Sequence, residues 1–435
     1  METGANAASP SFWQFMYKTL TRDLKNVCSD ALSDTVKELK TINSTKNIDI
    51  VIISNYAFGY CGSVLAHIFD SSLINFNVAG PFSTSMLGLG NSVNPLTQPN
   101  LLAPYIEPMS FTERIVNIIM EYLVSKFMNW TDMLGLHEIR SQFGNDIPEF
   151  SSIVEERISF SLANSHFVTH GSWPYYKNTI EVGGIHCKPG KVLPSDLKEY
   201  MDSHPEGVVY VSFGSGFKPS QMTTIQKNTF HEAFRELNYP IIWIWDGDDV
   251  TGIPQNVKIM SWVPQNDLLA HPNLKAFLTH GGLMSMQEAL FHKVPLVGIP
   301  ISADQAGNLK RAEMNGFAVK LNLHTLTKND LVSAIRKVMT DKIVLSAISQ
   351  MHILFTDYHD QTPMEKGVKA VEYVLRHKKL DFLKPTHSMN TPWYQYYGYD
   401  ILCFVVVLVS LVTYMTLKVS LLCVQKCLFR KEKNE

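Results

Sequence analysis

The sequence predicts an α/β protein of two doubly wound domains facing a cleft, followed by one transmembrane helix near the C-terminus. Three observations predict it. Apolar runs of strand length alternate with helix-length segments along most of the chain, the pattern that builds parallel sheets covered by helices. A polar stretch between Cys187 and Pro205, with Pro189, Gly190 and Pro194 inside it, reads as an interdomain linker and divides the alternation in two. No residue from 401 to 417 is charged, and apolar character resumes after Lys418 through Val424, long enough as a helix to cross about 30 Å of hydrocarbon.

In the first half, strands are expected at 48–54 and 73–78, with a helix near 63–69 and a helix-rich stretch over 111–133. Phe111, Ile115, Ile118, Ile119 and Tyr122 recur there at helical spacing and read as a core-facing stripe, with membrane association as the alternative. Residues 167–169 read as a further strand. In the second half the continuous apolar run 207–213 is expected to be a strand buried on both faces, ending at Gly214-Ser215-Gly216. Further strands are expected at 241–245, 275–279, 296–299 and 318–321, with helices between them. The resulting division is a first domain over 1–188, a second over 189–390, a membrane helix over 399–424 and a tail over 425–435. Paired doubly wound domains place ligands at the carboxyl ends of their strands.

Composition narrows the classes. The 435 residues are 45% hydrophobic and carry a formal charge of -2 without a long basic run, which gives no electrostatic footprint for nucleic acid. The six cysteines are Cys28, Cys61, Cys187, Cys403, Cys423 and Cys427, none in CxxC spacing. Three belong to the globular part, enough for one disulfide at most and too few for a disulfide scaffold or structural zinc. Cys423 and Cys427 read as free thiols, with palmitoylation the alternative. An Ig-like receptor is excluded because regular short strands and paired cysteines are missing.

Charge orients the membrane segment. Trp393, Tyr394, Tyr396, Tyr397 and Tyr399 precede it as an interfacial belt, and Lys426, Arg430, Lys431 and Lys433 follow it. Positive residues stay cytoplasmic, so the tail faces the cytosol and the globular part the lumen, as in a single-pass type I protein. The closing Lys431-Glu432-Lys433-Asn434-Glu435 resembles the dilysine retrieval signal of the endoplasmic reticulum. Asn43-Ser44-Thr45 and Asn129-Trp130-Thr131 are glycosylation sequons which that topology exposes, making the chain a glycoprotein. Met1 to Pro10 carries no apolar core of the kind a signal peptide needs, so a shortened or alternatively spliced chain is expected.

The chemistry concentrates between Trp262 and Gln305. A strand runs into His280-Gly281-Gly282, and a helix is expected to begin at Ser285. Two glycines let the backbone approach a ligand, and a helix N-terminus presents unpaired N–H groups and partial positive charge, which together cradle a diphosphate. Glu288, one turn into that helix, is placed to accept ribose hydroxyls. Trp262-Val263-Pro264-Gln265 offers an indole face and an amide, and Asp304-Gln305 a carboxylate and an amide for sugar hydroxyls. Asp246-Gly247-Asp248-Asp249 matches a DxD metal-binding pattern, but its position after a strand and its glycine favour a solvated turn, and no metal is expected.

In this order the motifs resemble the signature of the UDP-glycosyltransferase family, which includes the animal UDP-glucuronosyltransferases and UDP-glucosyltransferases. Val182-Gly183-Gly184-Ile185-His186-Cys187, Val211 to Ser215 and the C-terminal anchor extend the likeness over nearly the whole chain. The resemblance implies a GT-B fold, an acceptor-binding first domain and a UDP-sugar-binding second domain. It implies that Trp262 stacks on uracil, and that Gln265 and Glu288 hold the ribose. Ser215, His280 and Gly282 would meet the diphosphate, and Asp304 and Gln305 the sugar. Where many members carry Asn, this chain has Met284, and Ser285 is placed to compensate. The activity implied is inverting transfer of a hexosyl group, glucose or glucuronic acid, from UDP-sugar to a small lipophilic acceptor, with no cofactor beyond the co-substrate.

The family's catalytic histidine lies in the first strand-to-helix loop, which places it upstream of Met1 here. Ser54 and Asn55 stand where the family has the carboxylate that orients it, and the loss of early strands is expected to leave an unpaired sheet edge. His67, His137, His166 and His170 read as structural or exposed. A second function class stays open beside the enzyme: a catalytically silent UDP-sugar-binding or regulatory subunit, acting as a homo- or hetero-oligomer with related chains.

Overall fold

A computed structural model of the chain describes residues 47–432 except 55–59, 92, 249, 358–359, 378–379 and 386–390, together with residues 36, 38, 39 and 41. The N-terminal segment from Met1 to Pro10, Cys28, the Asn43 sequon, Asn55, Asp249 and residues 433–435 lie outside the described residues. Contacts divide the chain at Lys384/Pro385 into two compact units.

The first unit contains two sheets. The first sheet comprises β1 (Ile50–Ser54), β2 (Ser72–Asn77), β3 (Ile158–Ala163) and β4 (Thr179–Glu181), parallel throughout and adjacent in that order. It is served by α1 (Val64–Ile68), α2 (Ser83–Gly88), α3 (Phe111–Phe143), α4 (Phe150–Arg157) and α5 (Phe167–His170). Among the described residues β1 forms an edge, with Ile52 54% exposed. Cys61 is disulfide-bonded.

The second sheet comprises β5 (Val208–Ser212), β6 (Ile241–Ile244), β7 (Val257–Met260), β8 (Leu274–Thr279), β9 (Leu296–Gly298) and β10 (Ala318–Lys320). Its order is β10-β9-β8-β5-β6-β7, all parallel. The helices of this half are α6 (Ser195–Asp202), α7 (Thr224–Leu237), α8 (Gln265–Leu269), α9 (Leu283–Phe291), α10 (Gln305–Met314), α11 (Lys328–Thr340), α12 (Lys342–Thr356) and α13 (Pro363–His377). β5 is buried at every position, which is why its sequence is uniformly apolar instead of alternating. On one face Phe230 and Phe234 of α7 pack around Trp243, Phe230 tilted at 33° and Phe234 edge-on at 89° with its centroid 5.3 Å away. α13 returns to the first sheet, where Ala370 and Val374 join Ile74, Phe160 and Leu162 in one apolar cluster.

Several expectations are corrected. Residues 167–169 form helix, not strand: the His166 ring accepts the Val168 N–H at 3.2 Å and caps a short turn, while the strand lies upstream as β3. The stripe of Phe111, Ile115, Ile118, Ile119 and Tyr122 does lie on helix, but faces solvent, from 41% exposed at Ile118 to 70% at Phe111. The core is filled instead from the opposite face of α3, by Met120, Val124 and Met128. The stretch from Cys187 to Pro205 is only partly linker, because Leu197 and Met201 of α6 bury themselves with Leu193 against the second sheet. The helix after His-Gly-Gly begins at Leu283, so Met284 and Ser285 sit in its first turn. β4 and β7, too short or too half-buried to show a period, have no counterpart in the sequence reading.

The second unit contains α14 (Trp393–Tyr396) and α15 (Tyr399–Glu432), and Tyr399–Cys423 of α15 is long and apolar enough to cross a membrane. Phe230 supplies the test of core packing. It is fully buried, and Phe230→Ala is expected to lower the unfolding free energy of the detergent-solubilised chain by about 3–5 kcal/mol in urea titration. A loss under about 1 kcal/mol would contradict close packing there.

Candidate functional site

Parallel pairing brings the ends of β5, β8 and β9 to one edge. Beyond them Ser215, Trp262, Gln265, His280, Gly282, Ser285, Asp304 and Gln305 all line one cavity of about 770 Å³. Glu288 is not on its wall but touches a residue that is: the Gln265 amide donates to its carboxylate at 2.6 Å and to Ser285 Oγ at 3.1 Å. The Tyr210 hydroxyl in turn donates to Gln265 Oε1 at 3.1 Å, holding the amide so that its nitrogen points to Glu288. Trp262, following β7, is 70% exposed and leaves an indole face open for a planar base.

The anion cradle rests on glycine. Gly214 has φ +71 and Gly281 φ +84; a Cβ on Gly214 would lie 2.7 Å from the His280 ring, and one on Gly281 2.3 Å from Leu309. The loops therefore close over His280 and α10 only without side chains. α9 has Gly282 as N-cap and no side-chain cap, so its first N–H groups are left for a ligand. Burial pushes the His280 imidazole down to about 4, so it is neutral near pH 7 and offers a hydrogen bond without a charge.

At the far end, Gln305 Oε1 accepts the N–H groups of Ile301 and Ser302 at 2.8 and 2.9 Å, directing its amide nitrogen elsewhere. Asp304 is buried and accepts from Asn308 Nδ2 at 2.6 Å, and the same nitrogen reaches the Gly281 carbonyl at 3.1 Å. Ala303 carries φ +55, backbone strain of the kind that surrounding contacts must hold at a site. Tyr210, Asn308, Val78 and Ala79 were not singled out in the sequence. Only Asn308 left a signal, four residues after Asp304 on one helix face. Met284 contributes its backbone: its carbonyl meets His186 Nε2 at 3.0 Å, tying the Val182 to Cys187 motif to the cradle.

Asp246, the candidate metal ligand, is engaged elsewhere. Its carboxylate accepts the Ser220 N–H at 2.9 Å and the Ser220 hydroxyl at 2.7 Å. Of the first domain's histidines, His137 is exposed, His166 caps α5, His67 is half-buried, and His170 is buried and pushed down to about 3 by that burial. None lines the cavity, to which the first domain contributes Val78 and Ala79 among the described residues.

Two parallel sheets facing a cleft, one of them ending in an anion cradle, define the GT-B class of glycosyltransferase. Solved structures agree on the fold. The glycotransferase of kitacinnamycin matches with a TM-score of 0.54 at 19% identity, over 82% of this chain and 84% of its own. CalG4, the calicheamicin glycosyltransferase, matches at 0.50 and 16% identity, over 84% and 81%. The family model described as UDP-glucoronosyl and UDP-glucosyl transferase matches residues 2–434. UDP-glucuronosyltransferase 2B14 of Oryctolagus cuniculus is 30% identical over 98% of this chain and 80% of its own length. UDP-glucosyltransferase 2 of Dactylopius coccus is 32% identical over 90% and 75%. The chain belongs to the UDP-glucuronosyl and UDP-glucosyl transferase family, whose members transfer sugar from a UDP-sugar.

The geometry makes two predictions. Glu288→Ala is expected to weaken UDP binding by about tenfold, as loss of a charge-assisted hydrogen bond does, and unchanged affinity by calorimetry would remove Glu288 from the ribose site. His170 and His280 both have folded-state values below the unfolded 6.5, so the folded protein binds fewer protons below that pH. Stability from these two groups is full above pH 6.5 and falls as pH drops toward 4, by up to about 1.4 kcal/mol per pH unit for each. Melting temperatures that stay flat from pH 7 to 5 would contradict their burial.

Proposed function

We propose that this protein transfers a hexosyl group, glucose or glucuronic acid, from UDP-sugar to a small lipophilic acceptor with inversion and without a metal. The observation that carries the proposal is the convergence of the donor-site residues on one cavity of about 770 Å³. Uracil stacks on Trp262, and Gln265 and Glu288 take the ribose hydroxyls. The diphosphate sits on the N-terminus of α9 between Ser215, His280, Gly282 and Ser285, and Asp304 and Gln305 hold the sugar. The acceptor oxygen attacks the anomeric carbon from the first domain's side while the bond to the diphosphate breaks. The α9 N–H groups then take up charge that a metal would otherwise neutralise. The acceptor proton passes to a base outside the described residues.

The same chemistry supports a placement: α15 crosses the endoplasmic-reticulum membrane once, with the globular part lumenal and the tail cytosolic. Its aromatic belt and basic flank support that orientation.

A second reading, a silent UDP-sugar-binding subunit partnering a related active chain, rests on a separate observation. Among the described residues the first domain brings only Val78 and Ala79 to the cavity, and neither takes a proton. General-base catalysis is typically worth about 10²–10⁴ in rate, so its absence is readable. The purified full chain is incubated with labelled UDP-glucose or UDP-glucuronic acid and a panel of phenols, with and without EDTA. UDP affinity is expected to survive EDTA, and the product to have the opposite anomeric configuration. Loss of UDP binding in EDTA would overturn the metal-free mechanism, and UDP binding with no transfer to any acceptor would favour the silent subunit.

A further inference from the structure

α9 begins with bare donors. Its first helical bond runs from the Met286 N–H to the Gly282 carbonyl at 3.0 Å, so the N–H groups of Leu283, Met284 and Ser285 precede the ladder at the cavity wall. The Met284 side chain is 47% exposed and has no polar hydrogen, so what this position offers a diphosphate is backbone.

One side chain reaches that backbone from the segment after β4. His186 Nε2 lies 3.0 Å from the Met284 carbonyl, which can only accept, so the ring carries its proton on Nε2. Cys187 Sγ, 3.8 Å from the same nitrogen, is a weak partner by comparison. Among the described residues the buried Nδ1 has no partner, so the carbonyl is what orients the ring. The backbone that carries the ring is fixed on both sides. The Gly183 N–H donates to the Ser165 carbonyl at 3.0 Å, and the Gly184 N–H to Asn164 Oδ1 at 3.1 Å, both just past β3. Beyond the ring, Asn266 of α8 donates to the Lys188 carbonyl at 3.0 Å, and Asp267 accepts the Lys191 N–H at 3.0 Å. A ring held this way keeps its hydrogen bond in one orientation.

That bond falls on a peptide unit whose other end faces the ligand. The Met284 carbonyl and the Ser285 N–H belong to one planar, conjugated amide, its oxygen pointing along α9 and its hydrogen back toward the helix N-terminus. A hydrogen bond donated to the oxygen draws electron density from the nitrogen and strengthens the N–H as a donor, by roughly 10–30% per bond. The oxygen has two lone pairs, so its bond within the helix is kept. We propose that His186 is a positioning residue for the diphosphate, fixing and polarising the 284–285 peptide so that the Ser285 N–H binds phosphate oxygen more strongly. The inference rests on the reading of α9 as the diphosphate site.

The test measures the binding of UDP, and of uridine, which lacks the diphosphate, to the detergent-solubilised full chain by calorimetry. The wild-type chain is expected to bind UDP more tightly than uridine; equal affinities would overturn the α9 reading and the proposal with it. His186→Ala is expected to weaken UDP binding about three- to tenfold, the size of one hydrogen bond, and to leave uridine binding unchanged. His186→Gln, whose amide nitrogen can stand where Nε2 stands, is expected to restore UDP affinity to within about twofold. Unchanged UDP affinity in His186→Ala, with the wild-type preference for UDP intact, would overturn the proposal and leave the α9 reading standing. Equal losses for UDP and uridine would reduce His186 to a support of the fold and overturn it too, as would a glutamine variant no better than the alanine one.

Discussion

The donor site depends on the register of three neighbouring strands. Ser212 of β5 lies beside Thr279 of β8, and Thr279 beside Gly298 of β9. Parallel pairing at that register ends the three strands in one row, so the segments that follow must leave the sheet together. Ser215, His280 to Ser285, and Asp304 with Gln305 are what those segments carry. Slipping one strand by a residue would turn its side chains to the opposite face and separate Ser215, His280 and Asp304.

Helix α10 extends that alignment to the other sheet. Leu309 packs where side chains on Gly281 and Gly298 would otherwise stand, and Asn308 joins Asp304 to the Gly281 carbonyl. One turn further, Arg311 pairs with Glu107, Lys310 with Glu113 at 3.5 Å, and Asn315 donates to the Val168 carbonyl. The helix whose N-terminus lines the cavity is thus also the one tied to the half of the chain that carries the first sheet.

The two halves contribute unequally. The half with the second sheet lines the cavity with Tyr210, Ser215, Trp262, Gln265, His280 and Asp304 among others, whereas the described part of the first offers two apolar residues. Histidines are present in the first domain but are spent elsewhere. His166 caps a helix, and His170 is buried too deeply to be protonated near neutral pH.

The sequence by itself determined the parallel α/β class, the apolar α15 and eight of the residues that meet at the cavity, Ser215, Trp262, Gln265, His280, Gly282, Ser285, Asp304 and Gln305. The reason is that strand ends, glycine-rich turns and helix starts are local, whereas the sheet order β10-β9-β8-β5-β6-β7 that sets them side by side is not. Residues that act across the sheet were less legible: Tyr210 reads as one more apolar strand position until its hydroxyl is seen on Gln265. The segment 167–169 looked like strand because short apolar runs suit either state, and a side-chain cap from His166 decided it. The outer face of α3 shows the limit most clearly. Helical spacing established that Phe111, Ile115, Ile118, Ile119 and Tyr122 share a face, but periodicity states which residues are neighbours, not what covers them. Only the tertiary structure, by filling the core from the opposite side of the same helix, decided that this face looks outward.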